Sequence, residues 1–303
     1  GIADDMLTTT IMATTAPKYL CPAMNTEMYN NPITQRNLEG LRSLGYHIMD
    51  PAEGWLACGI TGVGRLPEPE AIVDWLEAKM YSTNELEGTT ILVTAGGTQE
   101  SIDPVRYIGN RSSGKMGYAI AEQAARMGAK VILVSAPTSL PIPNGVDFIS
   151  VDSAVSMQEA VEARYNDVNV VIMAAAVSDF RVLHKAEQKI KKMESMTIEL
   201  VKNPDILQGL GSKKSHQILV GFAAETEHVI KYGQDKVAKK NLDMLVANDV
   251  SKSNAGFNVD TNEGYFLYPD KEPKEMPNMK KSDLARHILR EVIDLVANRA
   301  DIN

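Results

Sequence analysis

Val170-Val171-Ile172-Met173-Ala174-Ala175-Ala176-Val177 is an unbroken apolar run that empties into Ser178-Asp179-Phe180 and then into the basic cluster Lys189-Ile190-Lys191-Lys192. A strand without polar alternation is buried on both faces, as in a parallel sheet sandwiched between helices. Sheets of that kind bind ligands in the crevice beyond the carboxyl ends of their strands. Small alanines at that end let a ligand approach the backbone, and an acid with lysines nearby suits a metal-bound polyphosphate. The stretch is read as a nucleotide site.

Outward from it, strands and helices alternate. Strands are expected at Ile91–Ala95, Val131–Ala136, Phe148–Val151, Ile218–Ala223, Met244–Val246 and Tyr265–Tyr268. Helices are expected at Met116–Met127, Val155–Tyr165, Asp205–Leu210, Glu227–Lys240 and Ser282–Asn298. Helix-length segments between apolar strands predict right-handed βαβ units and an α/β, doubly wound (Rossmann-like) parallel sheet. Upstream, Pro69–Met80 has helical spacing and closes a first unit, residues 1–82. The polar connector Ser82-Thr83-Asn84-Glu85 follows, and a second unit spans 88–303.

The chain has 303 residues and a net charge of −8, which argues against nucleic acid as a partner. No run of about eighteen apolar residues is present, so no membrane span is expected. Gly1-Ile2-Ala3-Asp4-Asp5 carries acids where a signal peptide needs bases, and the chain is expected to begin inside a domain. Two cysteines, Cys21 and Cys58, are too few for a disulfide framework and predict a reducing, cytoplasmic setting.

Two glycine-rich loops follow the strand at Ile91–Ala95: Gly96-Gly97-Thr98, and Gly109-Asn110-Arg111-Ser112-Ser113-Gly114-Lys115 after Asp103-Pro104-Val105-Arg106. Their glycines permit close approach to a ligand, and the serines are expected to cap the next helix and leave amides for phosphate. The second loop resembles a Walker A loop until Met116 stands where a Ser or Thr should hold magnesium, and that reading is rejected. Gly-x-Gly-x-x-Gly is absent. A nicotinamide-dependent reductase would need an acid at the end of the second strand, where the chain reads Val134-Ser135-Ala136-Pro137-Thr138. The five histidines have no metal-ligand spacing.

The loop residues Asp103 to Arg106 and Asn110 to Gly117, with Ala174 to Phe180, resemble phosphopantothenate–cysteine ligase. Lys202-Asn203-Pro204-Asp205-Ile206, Gly221-Phe222-Ala223-Ala224-Glu225-Thr226 and Ala247-Asn248-Asp249 extend the likeness over most of residues 88–295. Pro22-Ala23-Met24-Asn25-Thr26-Glu27-Met28 and Ala57-Cys58-Gly59-Ile60-Thr61-Gly62-Val63-Gly64-Arg65 resemble phosphopantothenoylcysteine decarboxylase. The order of the two resembles the fused bacterial enzyme of coenzyme A biosynthesis, with a flavodoxin-like first part.

The resemblance implies that CTP, with Mg2+, activates 4′-phosphopantothenate as an acyl-cytidylate, which L-cysteine then converts to an amide and CMP. It assigns Met173, Ala174, Ala175, Asp179, Lys189, Pro204, Asp205, Ile206, Leu207, Phe222, Lys236 and Lys240 to the nucleotide. Lys189 is the cation on the triphosphate and the acyl-cytidylate, while Arg106 and Asn110 serve the acyl substrate and Asn110 the cysteine-dependent step. Read locally, Asn203 caps a helix with Pro204 in its first turn, and Lys236 and Lys240 share one helix face. In the decarboxylase, Asn25 matches the residue holding the substrate carboxylate and Cys58 the proton donor of a glycine-rich flap, with FMN as cofactor if that domain is complete. The family's flavin-binding strands and catalytic histidine have no counterpart upstream of Pro22, so loss of that activity from this chain is expected. A homodimer through the ligase and a larger assembly through the decarboxylase are also implied. A purely structural alternative makes residues 1–80 an assembly module.

Overall fold

The computed structural model describes residues 2–56, 59–81, 83–192, 194–225, 228–249 and 260–300. The chain divides into two compact units, Gly1–Ser82 and Thr83–Asn303.

The first unit runs α1 (Met6–Ala13), β1 (Tyr19–Leu20), α2 (Thr26–Asn30), α3 (Pro32–Ser43), β2 (His47–Ile48), β3 (Ala52–Trp55), β4 (Thr61–Arg65) and α4 (Pro69–Tyr81). Side chains start its helices: Asp5 accepts from the Thr8 amide at 2.7 Å, Asn25 from Glu27 at 2.8 Å and Asn31 from Ile33 at 2.9 Å, with Pro32 opening α3. β1 and β2 pair in parallel, and β3 and β4 form an antiparallel ribbon. Tyr19 stacks on His47 and meets Trp75 edge-on.

The second unit is built on one eight-stranded sheet. Its chain order is β5 (Thr90–Ala95), β6 (Gln99–Ser101), β7 (Tyr107–Gly109), α5 (Lys115–Arg126), β8 (Lys130–Ser135), β9 (Val146–Ser150), α6 (Ala154–Glu162), β10 (Val170–Met173), β11 (Phe180–Val182), β12 (Leu200–Lys202), α7 (Ile206–Ser212), β13 (Ile218–Glu225), α8 (Val229–Lys239), β14 (Met244–Asp249), β15 (Thr261–Leu267), β16 (Lys274–Lys280) and α9 (Lys281–Ala300). The sheet order is β16-β15-β14-β13-β10-β5-β8-β9. All pairings from β9 to β14 are parallel, and β15 and β16 add antiparallel to one edge. β6–β7 and β11–β12 are separate hairpins.

The central strands are apolar on both faces because both faces are covered. Ile91, Val93, Ile172 and Val220 bury into one core with Ile120 of α5 and Leu284, Ile288 and Leu289 of α9. Leu92, Val171 and Leu219 bury into the other with Met157 of α6, Leu210 of α7 and Val237 of α8. The expected doubly wound sheet is observed, with an antiparallel edge in addition. That edge is rich in polar residues over residues 261–264 and along β16, and only Tyr265–Tyr268 of it reads as a strand from sequence. No helix among the described residues is long and apolar enough to cross a membrane.

Several local expectations are corrected. The apolar run from Val170 leaves the sheet after Met173, since beyond that point its amides bond to the Thr94 hydroxyl of β5 and to the Gly96 carbonyl instead of extending the strand ladder. The serines do not cap α5; Gly114 does, at φ 75°, with no side-chain bond. Nor does Asn203 cap α7. Asp205 does, accepting from the Gln208 amide at 3.0 Å, so the helix starts beyond Pro204. α8 ends at Lys239, which leaves Lys240 as its cap residue.

Gly117 lets α5 lie directly on β5: a Cβ there would sit 2.6 Å from Ala95 Cβ and 2.8 Å from the Thr94 carbonyl. Gly209, inside α7, has nothing within 4 Å of such a Cβ. Gly117→Ala is expected to destabilise the protein by about 1–3 kcal/mol through overpacking. Gly209→Ala is expected to stabilise it by about 0.4–1 kcal/mol through the unfolded chain. Thermal melts of the two variants should therefore move in opposite directions, and a shared direction would refute this account of the helix–strand contact.

Candidate functional site: two joined cavities at the sheet switch point

β5 and β10 are adjacent, yet from β5 the sheet continues to β8 on one side and from β10 to β13 on the other. Their loops part at this point, leaving a crevice at the strand ends. The loops are tied across it. Buried Thr94 accepts the Ala175 amide on Oγ1 at 3.1 Å, the Ala176 amide donates to the Gly96 carbonyl at 2.8 Å, and Thr98 Oγ1 accepts the Ser178 amide at 2.9 Å.

The first cavity, about 360 Å³, lies over the start of α5. It is lined by Asn110, Ser112 to Gly117 and Ala174 to Val177, with Asn248, Asn262 and Lys281. Without a side-chain cap, the first amides of α5 and the positive end of its dipole serve this cavity. The Asn248 Oδ1 is buried there without a hydrogen-bond partner, a group that a ligand would satisfy. Lys281 is buried and lines the same space.

The second cavity, about 310 Å³, is lined by Met173, Ser178, Lys202 to Leu207 and Lys240. Ala175, Val177, Asp179 and Phe222 line both cavities and join them. Asn203 fixes the walls of the second. Its amide donates to the Asp179 carbonyl at 2.8 Å, its Nδ2 to the Ser178 carbonyl at 2.8 Å, and its Oδ1 accepts from Arg181 at 3.1 Å. Asp205 pairs with Lys240 at 2.9 Å. Burial works to raise the Asp205 pKa, but Lys240 and the Gln208 amide outweigh it and leave the carboxyl below its ordinary value.

The sequence-predicted residues are only partly gathered here. Met173, Pro204, Asp205, Ile206, Leu207 and Lys240 line the second cavity, Asn110 and Ala174 the first, and Ala175, Asp179 and Phe222 both. Asn110 is exposed and donates through Nδ2 to the Ala176 and Val177 carbonyls in long bonds of 3.4 and 3.3 Å. Lys189, Lys236 and Arg106 line neither cavity. Lys189 is exposed, on a segment whose Ile190 amide donates to Asp103 Oδ2 at 3.1 Å. Arg106 pairs with Asp103 at 2.5 Å and donates to the Ile190 carbonyl at 3.1 Å, so it braces that segment. The Arg106 guanidinium, with three backbone amides, holds the Asp103 carboxyl well below the usual range. Asn25 caps α2 and lines a cavity of about 390 Å³ in the first unit with Met24, Trp55 and Arg65. Cys58 lies outside the described residues.

Asn262 and Lys281 were missed because β15 and the start of α9 bring them in from the sheet edge and no local motif marks them. Among the described residues no group of three or more His, Cys, Asp or Glu could hold a metal ion. Asp179, on both cavities, fits the single carboxylate that a nucleotide-borne Mg2+ needs. In the first unit Arg65 is paired with Glu68, and the cavity shows apolar walls without a cluster of cations for a flavin phosphate. The residues described there do not by themselves fit FMN. No acid follows β8, against a nicotinamide cofactor.

Comparison with known proteins accords with this geometry. Residues 86–296 match the family described as DNA/pantothenate metabolism flavoprotein C-terminal domain, and residues 1–81 match the family described as Flavoprotein. The chain is 49% identical over 299 residues to the coenzyme A biosynthesis bifunctional protein CoaBC of Bacillus subtilis (strain 168), across 97% of this chain and 74% of that protein. It is 45% identical over 298 residues to CoaBC of Escherichia coli (strain K12), across 97% and 73%. The crystal structure of a CoaBC C-terminal domain superposes with a TM-score of 0.62 at 44% identity, covering 71% of this chain and 100% of that one. This chain belongs to the family of the coenzyme A biosynthesis bifunctional protein CoaBC.

Proposed function

We propose that the second unit joins 4′-phosphopantothenate to L-cysteine using CTP, by way of an acyl-cytidylate. The observation that carries this reading is the joining of the two cavities through Ala175, Val177, Asp179 and Phe222. The second cavity, with Phe222 and the Pro204–Leu207 backbone, takes the base. The first, with the uncapped start of α5, takes the phosphates and the acyl group.

In the first step a carboxylate oxygen of phosphopantothenate attacks the α-phosphorus, and the bond to the β-phosphate oxygen breaks with its electron pair on pyrophosphate. Asp179 would hold a Mg2+ that came with the triphosphate, and the metal would supply charge neutralisation there. In the second step the cysteine amine attacks the acyl carbon, the C–O bond to the phosphate breaks, CMP leaves and the amine gives up a proton. Asn110 donates to the acyl oxygen; its long bonds to the Ala176 and Val177 carbonyls are readily exchanged for that contact. Lys189 approaches the phosphates from its exposed segment, and Arg106 sets where that segment starts. Lys236 contributes positive charge at the end of α8.

The first unit we assign to decarboxylation of the product, with Asn25 on the substrate carboxylate and Cys58 as proton donor; the FMN this chemistry uses would be held by residues beyond those lining the Asn25 cavity. We also assign a homodimer through the second unit, supported by exposed Val105, Tyr107, Phe180 and Leu200 on its two hairpins.

Pyrophosphate release with CTP and 4′-phosphopantothenate, with and without cysteine, tests the reading. Release is expected before cysteine is added, and amide and CMP only afterwards; an absence of release with both CTP and ATP would overturn it. Lys189→Gln is expected to abolish release, whereas Asn110→Asp should still release pyrophosphate while forming little amide. Equal loss of the first step in both would contradict the division of roles. Phe222→Ala is expected to raise the KM for CTP by about tenfold or more through lost base stacking, as steady-state kinetics would measure.

A further inference from the structure

We propose that Lys281, outside every motif of the sequence, is a phosphate-binding residue of the ligase cavity that with Lys115 takes the outer, pyrophosphate end of the nucleotide. The inference rests on the nucleotide reading and deepens it.

Lys281 is the first residue of α9 and only 7% exposed, and its backbone amide donates to the Asp260 carbonyl at 2.9 Å. Lysines are among the side chains least often buried, because the ammonium loses its water. This one lines the first cavity together with the loop that starts α5. Lys115, first residue of α5, lines the same cavity and pairs with Asp260 at 2.6 Å. Burial, and then the nearby Lys115 charge, press the Lys281 pKa down against the pull of Asp260. Two cations are thus held near each other in a space from which one of them is largely shut off from solvent. A polyanion between them reverses both penalties.

The placement also fixes which end of the nucleotide they serve. Neither Lys115 nor Lys281 lines the second cavity, where the base is assigned. The outer phosphates therefore point toward α5 and α9. When the bond between the α-phosphorus and the β-phosphate oxygen breaks, negative charge grows on the leaving pyrophosphate, where a desolvated ammonium is most effective. Lys281 is in this sense a leaving-group residue.

Isothermal titration of the whole chain with pyrophosphate, CTP and CMP tests the proposal in wild type, Lys281→Met and Lys281→Arg. Methionine matches the length and the apolar stem of lysine, and arginine keeps the charge. Lys281→Met is expected to weaken pyrophosphate and CTP by about tenfold while CMP binding stays at the wild-type level, and Lys281→Arg to recover most of the loss. Unchanged pyrophosphate and CTP binding in Lys281→Met would overturn the inference. So would equal loss of CMP, or no recovery by arginine, which would make Lys281 a structural residue. Wild-type protein that binds pyrophosphate through Lys281 but releases none from CTP or ATP would keep the anion site and overturn the ligase reading alone.

Discussion

The crossing of backbone and side-chain bonds between the β5 and β10 loops is the constraint on which the rest of the second unit depends. At a switch point the two strand ends diverge and no ladder is left to hold them. Thr94 and Thr98, both buried, supply the missing acceptors: one hydroxyl takes the Ala175 amide and the other the Ser178 amide. Between them the Ala176 amide bonds to Gly96. The Ala174–Val177 backbone is thereby held rigid while its small side chains line open space. Binding to such a backbone costs little ordering, which is the physical basis of preorganisation.

Around this fixed strip the charges are arranged in pairs. Asp103 holds Arg106, Asp205 holds Lys240 and Asp260 holds Lys115. The partnerships differ in purpose. The Asp103 carboxylate also accepts the Ile190 amide, so that pair anchors the start of the lysine-rich segment. The Asp205–Lys240 pair ties the start of α7 to the end of α8 at the rim of the second cavity. Asp260 is exposed, and its bond to Lys115 is in high dielectric, where it is worth little and yields to a stronger anion.

The central sheet was legible because strands covered on both faces are almost continuously apolar, as Val170–Met173 and Ile218–Ala223 are and as Ile91–Ala95 is but for Thr94. The same rule misjudged Ala174–Val177: small apolar residues serve equally in a strand and in a loop that a ligand approaches. The cap of α7 was ambiguous because Asn203 and Asp205 flank Pro204, and either side chain suits a cap. Tertiary contacts decided it, since Asn203 is drawn inward to the Ser178 carbonyl. Lys189 reads as a phosphate ligand from its motif, yet it is exposed and lines neither cavity. Lys281 carries no local signal, because its burial comes from an antiparallel edge far along the chain.

Asn203 explains how two cavities behave as one site. Its amide fixes the Asp179 carbonyl, its side chain fixes the Ser178 carbonyl, and Arg181 locks that side chain while bonding to the Lys202 carbonyl at 3.0 Å. These groups belong to the β11–β12 pair and the segments flanking it; Ser178, Asp179, Lys202 and Asn203 line the second cavity, and Asp179 also lines the first. A buried amide with every group engaged has no alternative arrangement of similar energy, so movement of one loop carries the other with it. The position of Asp179 at the first cavity is therefore set by the same clamp that shapes the second. On the proposed ligase reading, recognition of the base and alignment of the reacting phosphate are coupled through that shared residue, without a hinge or a distant relay.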